Sequence, residues 1–143
     1  MLFRSMVCNL DIKDVVKHHE ACGKDITLVY KNVNNANERF DNCDSVKIGE
    51  NGEVLGIGQN LFFKKDENIS LAAFVMSKEL LIKMICDGIQ EGVYYTVRDL
   101  VTRNVGRVSI NGYEFKGYLS CIDRKSTRLN SSHRSLSRMP SSA

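Results

Sequence analysis

The pattern of apolar and polar positions lays out strands and helices in alternation. Met6 to Asn9 reads as the end of a strand. Asp11 is placed to cap a helix, with Asp14 three residues on in a capping-box position, and Val15, Val16 and His19 form a stripe that stops at Gly23. Asp25 to Lys31 is a continuous β-branched and apolar run, as expected of a strand buried on both faces of an α/β sheet. Asn32 to Asp44 is rich in asparagine and keeps no period, so it reads as a polar loop.

Two Asn-Gly dipeptides each predict a hairpin, because this pair supplies the positive-φ positions of a type I′ turn. The first joins Ser45–Ile48 to Glu53–Ile57 through Glu50-Asn51-Gly52. The second joins Arg107–Ile110 to Tyr113–Leu119 through Asn111-Gly112. Between them, Ile69–Met76 reads as a strand. Ser77 caps a helix with Leu80, Leu81, Met84 and Ile85 on one apolar face, ended by Gly88 or Gly92, and Thr96 caps another through Val97, Leu100 and Val101. The fold class this predicts is α/β, a mixed sheet flanked by helices.

Composition narrows the picture. A chain of 143 residues holds one domain, and its 43% hydrophobic content is ordinary for a globular protein. No apolar run approaches the ~20 residues of a membrane-spanning helix, and Met1 to Leu10 lacks a signal-peptide core and cleavage site. A soluble, cytoplasmic chain is the expectation. Cys8, Cys22, Cys43, Cys86 and Cys121 are odd in number and follow neither a zinc nor a disulfide spacing, so they read as reduced and mostly buried thiols.

The net charge of +3 is not spread evenly. Residues 123–143 carry five basic side chains against Asp123; taking these from the 20 basic and 17 acidic residues of the whole chain leaves 15 and 16 in residues 1–122. The basic stretch also holds Pro140 and seven serines, and cannot bury a core face. Its opening, Asp123 to His133, and its end, Ser137 to Ala143, resemble the translation of a short-read library adapter, and Leu2 to Ser5 resembles the complementary adapter end. Residues 1–5 and 123–143 are thus expected to be adapter-like scars around a genuine reading frame, 6–122, that is a gene fragment. Such a remnant of a larger core should leave a sheet edge unpaired and be marginal alone.

Candidate chemistry is sparse. There is no P-loop, dinucleotide fingerprint, zinc-protease or nucleophile-elbow motif. Gly56-Ile57-Gly58 reads as a tight bend. His18 and His19 are adjacent on one helix, face different ways and read as surface and boundary residues, not a metal pair. Asp11/Asp14 read as helix capping and Asp41/Asp44 as loop solvation, not as cation ligands. Lys64-Lys65, beside Phe62-Phe63, are weak candidates for a phosphate contact.

The runs Val7 to Val16, Asp25 to Lys31, Phe40 to Asp44, Asn68-Ile69-Ser70 and, most specifically, Tyr113-Glu114-Phe115-Lys116-Gly117-Tyr118-Leu119 carry a resemblance. Across nearly all of residues 6–122 the chain resembles the regulatory, GlgD-type subunit of bacterial glucose-1-phosphate adenylyltransferase. The resemblance implies the second half of a Rossmann-like nucleotidyltransferase domain, incomplete, in the glycogen branch of carbohydrate metabolism. Catalytic members use ATP and Mg²⁺, and their upstream nucleotide-binding loop has no counterpart in the matched region. Their magnesium-binding Asp in Trp-Arg-Asp-Val-Gly-Thr aligns with Phe115, anchored on Gly117. Their first metal Asp would fall near Ser5. Their sugar-phosphate Glu-Lys aligns near Gln59 and Asn60, without charge. Arg98-Asp99-Leu100 matches a family Lys-Asp-Leu and reads as helix structure.

These departures imply a non-catalytic chain without metal or cofactor of its own, whose partner is the catalytic subunit in a hetero-oligomer, with neither nucleic acid nor membrane as partner. Two rivals stay open. One is an active nucleotidyltransferase making ADP-glucose from ATP and glucose 1-phosphate by in-line displacement. The other is a small α/β binding module with a basic nucleic-acid arm in residues 123–143.

Overall fold

The computed structural model describes residues 4–34, 40, 43–59, 66–92 and 96–123. In chain order its elements are β1 (Arg4–Cys8), α1 (Ile12–Cys22), β2 (Ile26–Val33), β3 (Asp44–Ile48), β4 (Val54–Gln59), β5 (Glu67–Met76), α2 (Lys78–Gln90), α3 (Val97–Arg103), β6 (Ile110–Glu114) and β7 (Leu119–Asp123). They fall into two compact units, Leu10–Lys116 and the pair of chain ends Met1–Asn9 with Gly117–Ala143. In the second unit β1 and β7 pair antiparallel, from Arg4 opposite Asp123 to Cys8 opposite Leu119. The Tyr118 N–H donates to Asn9 Oδ1 at 2.7 Å. The strand anticipated at Met6 therefore starts at Arg4.

The larger unit is α/β, with a mixed five-stranded sheet in the order β4-β3-β5-β2-β6. As the apolar run predicted, Ile26, Thr27, Leu28 and Val29 of β2 are all buried. Side chains alternate across a strand. Ile26 and Leu28 join Val46, Val54, Ile57 and Ile110 in one core with Met84 of α2 and Leu100 and Val101 of α3. Thr27 points the other way, where its Oγ1 lies 2.8 Å from Nδ1 of His19 on α1. Helices thus cover both faces of this strand.

The helices start and stop where local chemistry places them. Asp11 accepts from the Lys13 N–H at 2.9 Å, and Gly23 closes α1 at φ 61°. Val15 is the buried position of α1, while Val16 is exposed. Ser77 caps α2 through the Leu80 N–H, and Thr96 and Asp99 form a reciprocal capping box on α3. Gly92, at φ 78°, follows the end of α2; Gly88 lies inside the helix and is buried beside Met84. Ile85 is 39% exposed, so the anticipated single apolar face of α2 is only partly covered.

The first Asn-Gly hairpin is present with a different turn. Gly52 donates to the Gly49 carbonyl at 3.1 Å and alone in the loop takes positive φ, at 80°, while Gly49 donates to the Glu53 carbonyl at 2.8 Å. A three-residue loop with a left-handed glycine replaces the type I′ turn. The second hairpin is not formed. Asn111 and Gly112 sit within β6, which runs parallel to β2 in register Ile26–Ile110 to Tyr30–Glu114. Gly112 is not at positive φ. It is needed because a Cβ there would lie 2.7 Å from the Tyr30 ring and 2.9 Å from Ile48 Cδ1.

That close approach lets the sheet curl until its edges meet. The Gly112 N–H donates to the Gly52 carbonyl at 2.8 Å, and Glu53 forms an antiparallel bridge with Asn111. The bend is helped by a bulge in β5, where the register jumps from Leu28–Phe74 to Tyr30–Ser70 and Ala72 adopts φ 55°. Holding alanine in the left-handed region costs about 1 kcal/mol. Ala72→Gly is accordingly expected to raise stability by about 1 kcal/mol in urea unfolding, whereas a loss would show that the bulge needs the side chain.

The parallel strands β2 and β6 are tied at their starts. Ser109 donates its N–H and its hydroxyl to Asp25 Oδ2 at 2.9 and 2.8 Å, and its Oγ accepts from the Asp25 N–H at 3.0 Å. The backbone and side-chain hydrogen bonds from Ser109 hold the Asp25 carboxyl below the usual carboxylate range. A lowered folded value stabilises above the unfolded pKa, about 3.9, and that stabilisation is lost as pH falls through the folded value. Asp25→Asn is expected to flatten this part of the acid limb of a stability–pH curve, leaving the neutral-to-alkaline side unchanged in slope. An unchanged acid limb would remove Asp25 from the acid response.

Among the described residues no helix is long and apolar enough to cross a membrane. Of the five cysteines Cys43 is buried, Cys8 and Cys86 are exposed and Cys22 and Cys121 intermediate, so the expectation of mostly buried thiols does not hold.

Candidate functional site at the carboxyl edge of the sheet

Strands β2 and β3 both run antiparallel to β5, so they are parallel to each other, and β6 is parallel to β2. All three end at one side of the sheet. At that side lie Lys31 and Asn32 from β2, Glu114, Phe115 and Lys116 from the end of β6, and Glu67 and Asn68 at the start of β5, which runs the other way.

A groove of about 280 Å³ opens there, lined by Ser45–Ile48 of β3 and by Asp66, Glu67 and Asn68. Its wall is hydrogen-bonded. Ser45 Oγ donates to Glu67 Oε2 at 2.9 Å, and Asn32 Nδ2 donates to Asn68 Oδ1 at 2.9 Å. At the end of β6 the Lys116 ammonium lies 3.0 Å from Glu114, an ion pair open to water and worth little. Burial, with Glu114 adding to it and Lys116 opposing, pushes the Tyr30 phenol above its usual range, so it is a neutral donor near pH 7.

Phe115 sits at the centre of the resemblance. Its N–H donates to the Tyr30 carbonyl at 2.7 Å, extending the β2–β6 pairing, and the residue is 7% exposed. The Lys31 ammonium lies 5.7 Å from the ring centroid, in cation–π range. Magnesium requires oxygen ligands in near-octahedral array. A phenyl ring supplies none, and an ammonium over its face repels a second cation. The residues at this position therefore do not fit a magnesium ion.

The other candidates scatter. Gln59 ends β4, opposite Asp44 in the β3–β4 pairing, and is exposed. Asn60, Lys64 and Lys65 lie outside the described residues, as does Asp41. Asp44 is not loop solvation: it begins β3, is buried, and pairs with Arg98 at 3.3 Å. Gly56-Ile57-Gly58 lies within β4, with Ile57 in the core. Asp99 belongs to the capping box and Leu100 to the core, so Arg98-Asp99-Leu100 is helix structure, as read.

His18 and His19 do face different ways, but neither is a plain surface residue. His19 meets Thr27, while His18 Nε2 lies 3.2 Å from Cys22 Sγ and 3.1 Å from Asn111 Nδ2. The sequence reading missed this cluster. The four-residue spacing of His18 and Cys22 was visible; Asn111, 89 residues from Cys22, was brought in by the parallel pairing of β6. No family model matches the chain, and no curated protein sequence matches it either.

Proposed function

We propose that this chain is part of a regulatory subunit of a glucose-1-phosphate adenylyltransferase and modulates a catalytic partner instead of transferring nucleotidyl groups itself. The reading rests on the sequence resemblance over residues 6–122, and the α/β sheet with three strands ending at one edge is compatible with the Rossmann-like half-domain which that resemblance implies. The observation that carries the non-catalytic part is Phe115: a buried ring beneath the Lys31 ammonium stands where an oxygen ligand would be needed. With no cation gripped there, nothing at this position neutralises charge on a transferring phosphoryl group. The uncharged Gln59 and Asn60, aligned with the family's sugar-phosphate Glu-Lys, fit the same reading, which would place the chain in the cytoplasm.

The test uses the full 143-residue chain. Incubated with ATP, Mg²⁺ and glucose 1-phosphate it should release no diphosphate, and mixed with a catalytic adenylyltransferase subunit it should co-elute and shift that subunit's KM for ATP or glucose 1-phosphate. ADP-glucose formed by the chain alone would establish the rival, an active enzyme. Independent elution with an unchanged KM would sink the regulatory reading.

A further inference from the structure

We propose that Cys22 is a nucleophilic thiol with its own general base, and that it is a modification site for hydroperoxides. The spacing of four residues on α1 puts the His18 imidazole and the Cys22 thiol on one helix face, with Nε2 3.2 Å from Sγ. A nucleophile within hydrogen-bond reach of a base is the signature of an activated thiol. The inference does not rest on the thiol and base alone. Asn111, only 8% exposed, turns its amide into the pair from the neighbouring strand and donates from Nδ2 to Sγ at 3.1 Å. The imidazole is braced from another side by the Tyr113 ring, 5.2 Å away and edge-on at 69°.

The amide is itself held. Asn111 is paired with Thr27 of β2, and its Oδ1 lies 3.2 Å from where a Cβ on Gly52 would stand. Base, donor and thiol thus have fixed mutual positions supplied by α1 and β6. Both His18 and Cys22 are half-buried, so neither is sealed in the core.

The step balances within these groups. As Sγ attacks one peroxide oxygen, the thiol proton passes to His18 Nε2; the S–O bond forms and the O–O bond breaks. The departing hydroxide takes the proton from the imidazolium and leaves as water. Sulfur is oxidised by two electrons to a sulfenic acid, and the peroxide oxygens are reduced. The amide that donates to Sγ stabilises negative charge gathering on sulfur before attack.

The experiment treats the intact chain briefly with dilute hydrogen peroxide in the presence of dimedone, and follows labelling of each of the five cysteines by mass spectrometry. Cys86, exposed on α2, is the internal reference. Accessibility alone ranks Cys86 ahead of Cys22. The geometry reverses the order, with Cys22 labelled roughly 100-fold faster, the lower range for a positioned base. His18→Gln, which stays polar but cannot take the proton, should bring Cys22 down to the rate of Cys86 or below it and leave Cys86 unchanged.

A second measurement needs no variant. A thiol without a base reacts through its thiolate fraction and slows steeply with acidification, so the Cys22 to Cys86 rate ratio should widen from about pH 8.5 to about pH 7. Equal or slower labelling of Cys22, an unchanged rate in His18→Gln, or a ratio that does not move with pH each overturns the proposal.

Discussion

Leu28→Ala is expected to lower the stability of the larger unit by about 3 to 4 kcal/mol, seen as a lower urea midpoint with an unchanged slope. Leu28 is fully buried, and its neighbours in the core come from both ends of the unit: Val46, Val54 and Ile57 from β3 and β4, Leu100 and Val101 from α3. A void there cannot be closed by one element moving, because β2 is paired to β5 on one side and to β6 on the other. Leu55→Ala is the control. That side chain is 50% exposed, and its loss should change stability by no more than about 0.5 kcal/mol. Comparable effects from the two substitutions would show that the sheet does not close around Leu28.

Gly112→Val should cost about 3 kcal/mol, and for a reason that separates two readings of the same dipeptide. Were Asn111-Gly112 a turn, the cost would come from backbone conformation and would not depend on Tyr30. In the β6 strand the cost is steric: the added Cβ meets the Tyr30 ring at 2.7 Å and Ile48 Cδ1 at 2.9 Å. Removing the ring by Tyr30→Ala should therefore cut the Gly112→Val penalty by more than half, a coupling that a double-mutant cycle reads directly. An identical penalty in both backgrounds would refute the strand assignment. The consequence reaches the candidate site, since the backbone that Gly112 seats is the backbone that carries Phe115 to the Tyr30 carbonyl.

The same residues show where reading the chain succeeds. Asp11, Ser77 and Thr96 announce their helices because a cap is a contact between near neighbours in sequence, and each is found donating or accepting within three residues. The run Ile26–Val29 announced a strand covered on both faces because only such a strand tolerates apolar character at every position. The loop at Asn51-Gly52 was legible for the same local reason, although its turn type was not: the choice between two and three loop residues is made by where the flanking strands pair.

Asn111-Gly112 was misread because a glycine has two uses, positive φ and the absence of a Cβ, and the sequence does not say which is in force. Only the arrival of Tyr30 and Ile48 beside β6 decides it. Asp44 likewise resembled a solvated loop residue until Arg98, on a helix more than 50 positions later in the chain, came to meet it.

Local order set the caps, the buried strand and the first hairpin, all of which depend on residues a few positions apart. Tertiary pairing decided the parallel β2–β6 register, the curl of the sheet, the ammonium over the Phe115 ring and the meeting of Cys22, His18 and Asn111. Apart from the four-residue step from His18 to Cys22, these contacts join groups 58 to 93 residues apart, and no periodicity along a chain encodes which distant strand will lie beside which.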